Sequence, residues 1–118
     1  MSAEEHKDLI RRFVETVWNG KQTDALGEFH APEYTQNGKT FVTEEAKARM
    51  REMLANLPDL HHTIEDIIAE GDKVAYRWVM RSTNQATGKQ EGYRGITFMR
   101  IANGKIVEDW YSAEPLEE

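Results

Sequence analysis

The sequence predicts an α+β fold, in which helices pack on one face of a curved, mainly antiparallel sheet. Apolar residues recur at helical spacing in the first half of the chain. In the second half, strand-like segments flank two tight-turn sequences, Gly71-Asp72 and Asn103-Gly104. Helices gathered first and antiparallel strands afterwards are typical of this class. With 118 residues, the chain has the length of one domain, so we expect residues 1–118 to form a single unit.

The first predicted helix covers residues 4–19. Ser2 precedes it and Glu5 follows three residues later, which is the pattern of a capping box. Asn19-Gly20 supplies the stop. The apolar positions that predict the helix are Leu9, Ile10, Phe13, Val14, Val17 and Trp18.

Two further helices and one short strand are predicted before the sheet. A short second helix ends at Pro32, and residues 33–38 form a strand that runs into an Asn-Gly turn. Thr43 begins a third helix with an acidic first turn, which suits the helix dipole, and Pro58 ends it.

The turn at Asn103-Gly104 predicts which side chains share a face of the last hairpin. If the two strands pair without a bulge, Tyr93 lies opposite Glu114. Trp110 then lies further along the same face. This count also places Arg100 and Glu108 on opposite faces, so they are not expected to pair.

The same count around Gly71-Asp72 orders the preceding hairpin. Tyr76 and Trp78 share the face that is richer in large side chains, which we expect to look toward the helices. His62 falls on the other face beside Arg81, a position typical of the protein surface.

Composition excludes several classes of function. The net charge is −6 and the basic residues are scattered, which argues against binding nucleic acid or an anionic membrane surface. The absence of cysteine excludes disulfides and thiolate sites. We see no secretory signal and no apolar stretch long enough to span a membrane, so we expect a cytoplasmic protein.

Four segments together resemble one known family: FVETVWNGKQTDAL, APEYTQNG, LPDLHHTIEDIIAEGDKVAYRW and GITFMRIANGKIVEDWYSAEP. They resemble the SnoaL-like polyketide cyclase (ester cyclase) family of the nuclear-transport-factor-2-like superfamily. The resemblance implies a cone-shaped roll of three helices on a strongly bent sheet, with a pocket between them. It also implies a homodimer through the sheet and a small apolar or aromatic ligand.

The resemblance implies a cofactor-free, metal-free reaction in which a pocket carboxylate closes a ring. Its motif usually has Asp four residues after the tryptophan, and here that position is Glu114. A carboxylate in an apolar pocket has a raised pKa, and Tyr93 can orient it. The alternative is that Glu114 is a solvated residue at a strand end. Glu108 is the second candidate carboxylate, with a structural role as its alternative.

Several polar and aromatic residues are candidates for substrate contacts, each with a plain structural alternative. Large side chains such as Trp78 and Trp110 serve equally well as core, and Asn37 serves equally well as a turn residue. The predicted substrate contacts are Tyr34, Trp78, Tyr93, Trp110, Trp18 and Asn37. Gln36 stands on the same short strand as Tyr34.

The histidines give no metal site by sequence. His61 and His62 are adjacent on a strand and so face opposite sides, and no third ligand stands at a recognisable spacing. His30 is either a general base or, more commonly, a cation at a helix end.

Three functions remain open at this point. The first is an enzyme that cyclises, isomerises or hydrolyses a small, mostly apolar carbonyl compound with Glu114 as acid/base. The second is a non-catalytic protein that binds a small hydrophobic ligand in the same pocket. The third is an interaction protein with a filled core and no cavity.

Overall fold

The computed structural model describes residues 1–116 and has helices before and between the first strands of one sheet. The helical elements are α1 (Ala3–Phe13), which continues as a π-helical segment (Val14–Asn19), a 3₁₀ turn (Thr23–Ala25) that runs into α2 (Leu26–Phe29), and α3 (Thr43–Ala55). The strands are β1 (His30–Gln36), β2 (Lys39–Val42), β3 (His61–Glu70), β4 (Lys73–Thr83), β5 (Gln90–Ala102) and β6 (Lys105–Pro115).

The six strands form one mixed sheet in the order β2-β1-β6-β5-β4-β3. All neighbouring strands are antiparallel except β1 and β6, which run parallel. The helices pack on the inner face of this curved sheet. The predicted α+β fold class, with three N-terminal helices on a mainly antiparallel sheet, is therefore confirmed.

The first helix forms as the sequence predicts. The Ser2 side chain accepts a hydrogen bond from the Glu5 amide, and the Glu5 side chain accepts one from the Ser2 amide. Its buried stripe continues through the π-helical segment and packs on the inner strands. The central buried side chains are Ile10, Phe13, Val14, Val17, Val74, Met99 and Ile106.

The second helix ends earlier than predicted. It ends at Phe29, and Pro32 lies within β1. Proline has no amide hydrogen to donate, and here the pairing of β1 with β6 is irregular between His30 and Thr35. The strand therefore accommodates Pro32 in the stretch where no regular ladder is made.

Both predicted hairpin turns are present, but each hairpin carries a bulge that the predicted registers lack. On β6, Ile106 pairs with Ile101 while Glu108 pairs with Arg100, so Val107 is the extra residue. A bulge puts two residues opposite one and turns every following side chain to the other face. The faces predicted for β6 beyond Ile106 are therefore wrong.

The bulge on β3 has the same effect. Asp66 pairs with Arg77 and Ile64 with Trp78, so Glu65 is the extra residue. This shift turns the apolar Ile64 toward the helices and leaves Glu65 exposed. Burial of the apolar residue favours the bulged register over the regular one. Within residues 1–116, no helix is long and apolar enough to cross a membrane.

Candidate active site

A cavity of about 480 Å³ lies between the helices and the inner face of the sheet. Most of its wall is apolar or aromatic, and it includes Trp18, Tyr34, Phe41, Met50, Trp78 and Met80. Three lining residues, Arg49, Met53 and Tyr111, are solvent-exposed, so the cavity opens on their side.

Asp109 is the carboxylate that faces this cavity. It is 4% exposed and points inward from β6, opposite Met99. Its Oδ2 atom accepts a hydrogen bond from the Gln36 side-chain amide at 3.1 Å, whereas Oδ1 has no protein partner among the described residues. Burial raises the pKa of Asp109 to about 6, against the opposing effect of the Gln36 hydrogen bond.

The parallel pairing of β1 with β6 positions Asp109. Gln36 is its direct partner across the two strands. The Asn37 amide donates to the Asp109 carbonyl oxygen at 2.9 Å, and the Asn37 side-chain oxygen accepts from the Tyr111 amide at 2.9 Å. Asn37 adopts a φ of 50°, which asparagine tolerates better than most residues. The structure thus places Asn37 in the turn behind Asp109 and outside the cavity lining.

Two phenols share the cavity with Asp109. Tyr34 stacks on Phe41, with ring centroids 5.8 Å apart, and Tyr76 is buried on β4. Burial raises the pKa of both tyrosines, and the nearby Asp109 carboxylate raises it further. Both therefore stay protonated near neutral pH and can donate hydrogen bonds.

His62 also faces the cavity, so its predicted surface position is wrong. The β3 bulge pairs it with Met80 instead of Arg81 and turns it inward. Its ring packs between Trp18 and Trp78, at centroid distances of 5.2 and 5.0 Å. Burial lowers the pKa of His62 to about 4, with a smaller contribution from His61, so the imidazole is neutral at pH 7.

The π-helical segment holds this part of the wall. Its last residue, Asn19, donates to the His62 carbonyl oxygen at 2.8 Å and accepts from the His62 amide at 2.7 Å. These two hydrogen bonds join the end of the helix to β3. They hold Trp18 against the His62 ring. Short π-helical segments are frequent at functional sites.

His30 begins β1 as a buried neutral imidazole, so it is not the cation at a helix end that was one expectation. It is 4% exposed between Phe13 and Tyr34, with ring centroids 5.0 and 4.7 Å away. Burial lowers the pKa of His30 to about 4. The imidazole is thus uncharged at neutral pH and lines the cavity.

Unpartnered polar atoms concentrate in this cavity. Among the described residues, four buried side-chain atoms lack a protein hydrogen-bond partner: His30 Nδ1, both ring nitrogens of His62, and Asp109 Oδ1. All three residues line the cavity. An unsatisfied buried polar group costs roughly 1–3 kcal/mol, so this wall is suited to a guest that carries polar groups.

Glu114 lies outside this cavity. Because of the β6 bulge it pairs with Arg94 on the outer face, where Arg94 Nε donates to Glu114 Oε1 at 2.6 Å. Its side chain is 64% exposed. Tyr93 lies opposite Pro115, so the expected pairing of Tyr93 with Glu114 is wrong. The structure therefore gives the predicted catalytic role of Glu114 no geometric support.

The bulge also moves Trp110 to the outer face. Trp110 is 46% exposed, pairs with Phe98, and donates from Nε1 to Glu108 at 2.7 Å. Glu108 pairs with Arg100 at 2.9 Å, so the expectation that these two face apart is also wrong. Both hydrogen bonds lower the pKa of Glu108.

Of the six predicted substrate contacts, three line the cavity: Trp18, Tyr34 and Trp78. Trp78 is fixed by a hydrogen bond of 2.8 Å from its Nε1 to Thr97. Sequence reasoning did not single out Asp109. An acid inside the apolar run of β6 is a visible clue, but only the bulge decides that it faces inward. No group of three His, Asp or Glu side chains placed to hold a metal ion is found within residues 1–116.

Comparison with known proteins gives one family and many similar structures. The sequence profile of SnoaL-like polyketide cyclases matches residues 8–116. No protein with a curated description matches this chain.

Three solved structures illustrate the structural similarity. IdmH from Streptomyces antibioticus, provisionally named a polyketide cyclase, is 25% identical, with a TM-score of 0.81 over 92% of this chain and 91% of that one. AclR from Streptomyces galilaeus, provisionally named a hydroxylase, is 24% identical, with a TM-score of 0.82 over 96% and 91%. A SnoaL-like polyketide cyclase from Agrobacterium tumefaciens is 19% identical, with a TM-score of 0.85 over 97% and 93%.

Proposed function

Because this chain belongs to the SnoaL-like polyketide cyclase family, we propose that it is a cytoplasmic enzyme that cyclises, isomerises or hydrolyses a small, mostly apolar carbonyl compound. One observation carries the proposal. Asp109 is a buried carboxylate with a pKa of about 6, and it faces an apolar cavity of a size that suits a small molecule. We assign the acid/base role to Asp109 in place of Glu114.

The proposed chemistry needs one group that takes a proton and returns it. In a ring closure, the Asp109 carboxylate removes a proton from the carbon next to a carbonyl group. The resulting enolate carbon forms a bond to a second carbonyl carbon of the same molecule, and Asp109 returns the proton to the new alkoxide oxygen. A pKa of about 6 lies close to the working pH, which favours both transfers. No electrons are gained or lost.

The surrounding groups fit this reaction. Tyr34 and Tyr76 can donate hydrogen bonds to an enolate oxygen, since both line the cavity near Asp109 and stay protonated. Gln36 restricts one carboxylate oxygen, and Oδ1 has no hydrogen-bond partner among the described residues. His62 offers one donor and one acceptor from a neutral ring.

The proposal is tested with β-tetralone, a flat ketone with acidic protons beside its carbonyl group. Proton NMR in heavy water follows exchange of those protons for deuterium. We expect the wild type to accelerate exchange and Asp109→Asn to lower the acceleration about 100-fold or more. Glu114→Gln is the matched control, because it also removes a carboxylate from β6 but on the outer face. Equal rates in Asp109→Asn and wild type would contradict the assignment.

The same experiment separates an enzyme from a ligand carrier. Four of the five methionines, Met50, Met53, Met80 and Met99, line the cavity, so their methyl NMR signals report its occupancy. If tetralone shifts these signals in the wild type but its protons exchange no faster than in buffer, the protein is a ligand carrier and not an enzyme for this class of compound.

We also propose that the outer sheet face holds a second copy of this chain. Apolar side chains there are exposed: Ile96 is 60% exposed and Phe98 38%, and Phe98 pairs with Trp110. Ile68, 68% exposed, lies in the same row, with Ala75 between it and Phe98. Contiguous exposed apolar surface of this kind is typical of an interface. Light scattering should give twice the monomer mass for the wild type and the monomer mass for Ile96→Lys. A monomeric wild type would contradict this proposal.

A further inference from the structure

We propose that Arg49 makes the cavity selective for ligands that carry an anionic group, which Arg49 holds at the mouth while the apolar body lies inside. The ligand class is then an amphipathic organic anion, such as a carboxylate with a flat or aliphatic body. This inference rests on the proposed use of the cavity for a small molecule and adds the charge of that molecule.

The basic residues of α3 show why Arg49 is distinctive. Lys47 pairs with Glu44, and Arg51 pairs with Asp24. Within residues 1–116, Arg49 makes no salt bridge. Among the described residues it has no ionic partner, although Glu45 and Glu52 stand at spacings of four and three residues, where helical ion pairs can form.

The guanidinium of Arg49 is instead held at the cavity. Its Cζ atom lies 4.7 Å from the centre of the Phe41 ring, and both residues line the cavity. Its charge also reaches the interior, since Arg49 lowers the pKa of Tyr34 while burial raises it. The planar guanidinium presents a fork of N–H donors that matches a carboxylate or sulfonate.

The other titratable side chains of the cavity determine the orientation of such a ligand. Asp109 is deep and negative when ionised, so an anionic group is repelled there and attracted at the exposed Arg49. His30 and His62 are neutral and do not compete as cations. The apolar, carbonyl-bearing part of the ligand is therefore the part directed toward Asp109.

The test compares two probes that share one ring skeleton. Anilinonaphthalene sulfonate carries an anionic group, and phenylnaphthylamine is the same molecule without it. Binding is followed through the methyl NMR signals of Met50, Met53, Met80 and Met99, with Met1 outside the cavity lining as the internal reference. We expect Arg49→Gln to weaken sulfonate binding about 5- to 10-fold, as for a charge-assisted contact near solvent, and to leave phenylnaphthylamine within about twofold.

Two further variants serve as controls. Arg51→Gln removes another cation of α3, one that already pairs with Asp24. We expect it to leave the affinities for both probes unchanged. Arg49→Lys keeps the charge but loses the planar fork, so it should retain part of the sulfonate preference. An unchanged melting temperature shows that each variant is folded.

The outcomes distinguish this inference from the proposed function. If Arg49→Gln changes neither affinity, or lowers both equally, the anion selectivity is refuted while tetralone exchange by Asp109 stands. If neither probe shifts the four cavity methionines of the wild type, the cavity takes no such guest and the inference falls. The inference is supported if Arg49→Gln weakens only sulfonate binding. It is supported further if high salt weakens sulfonate binding in the wild type but not in Arg49→Gln.

Discussion

The buried carboxylate at Asp109 should contribute less to stability at neutral than at mildly acidic pH, and Asp109→Asn should remove this contribution. The folded state raises the pKa of Asp109 from 3.8 to about 6, because burial penalises the charged form. The folded protein therefore binds this proton more tightly than the unfolded chain does. Its contribution to stability is fully present below pH 3.8 and is lost as the pH rises through about 6.

The size of the effect follows from the shift. One pKa unit corresponds to about 1.4 kcal/mol, so a shift of roughly two units is worth about 3 kcal/mol. This is a large part of the 5–15 kcal/mol by which typical domains are stable. Asparagine has nearly the same shape and keeps the contact with Gln36, but it does not titrate. The free energy of unfolding of Asp109→Asn, minus that of the wild type, should therefore grow by about 2 kcal/mol between pH 4 and pH 7, because part of the effect lies below pH 4.

Urea denaturation of both proteins from pH 4 to pH 7 measures this difference. Contributions from the histidines cancel in the subtraction, because both proteins contain them. Asp109→Leu is a second non-titrating variant, and its pH dependence should parallel that of Asp109→Asn. A wild-type-to-variant difference that stays constant across this range would refute the raised pKa and, with it, the main reason for choosing Asp109 as the acid/base group.

Three further predictions concern the same wall. The lowered pKa of His62 gives stability that is present above pH 6.5 and lost as the pH falls through about 4, so His62→Phe should remove about 3 kcal/mol of acid sensitivity in the same urea series. Asn19→Ala deletes both hydrogen bonds to the His62 backbone and should cost about 1–3 kcal/mol in thermal unfolding. In a background where Trp78 and Trp110 are replaced by Phe, it should also alter the fluorescence of Trp18, and unchanged fluorescence would contradict its positioning role. Glu114→Gln breaks only an exposed ion pair with Arg94 and should change the free energy of unfolding by less than about 1 kcal/mol; a larger loss would show that the pair is structural.

Much of the architecture follows from local patterns. The capping box at Ser2, the long apolar stripe of α1 and the two hairpin turns each depend on neighbouring residues, and all are present in the structure. Regular spacing makes Trp18 and Trp78 candidates, and the family resemblance of its short strand makes Tyr34 one; all three line the cavity. The contact of these residues with a substrate stays a prediction.

The acid of the site was harder to identify, for a specific reason. Counting from the Asn103-Gly104 turn is right as far as Ile106, and one extra residue at Val107 then exchanges the two faces. The same error at Glu65 put His62 on the surface. Side chains alternate with a period of two, so a single inserted residue reverses every later position.

The sequence by itself determined the helices, the hairpins and the α+β class, because these depend on spacing, capping and turn chemistry within a few residues. Only the tertiary structure decided which carboxylate lies in the cavity. A bulge is stabilised by the packing of strands and helices that are distant in sequence, and a raised pKa arises only when those elements exclude water from Asp109. Glu114 and Asp109 stand five positions apart on one strand, and tertiary packing leaves the first exposed to water and encloses the second.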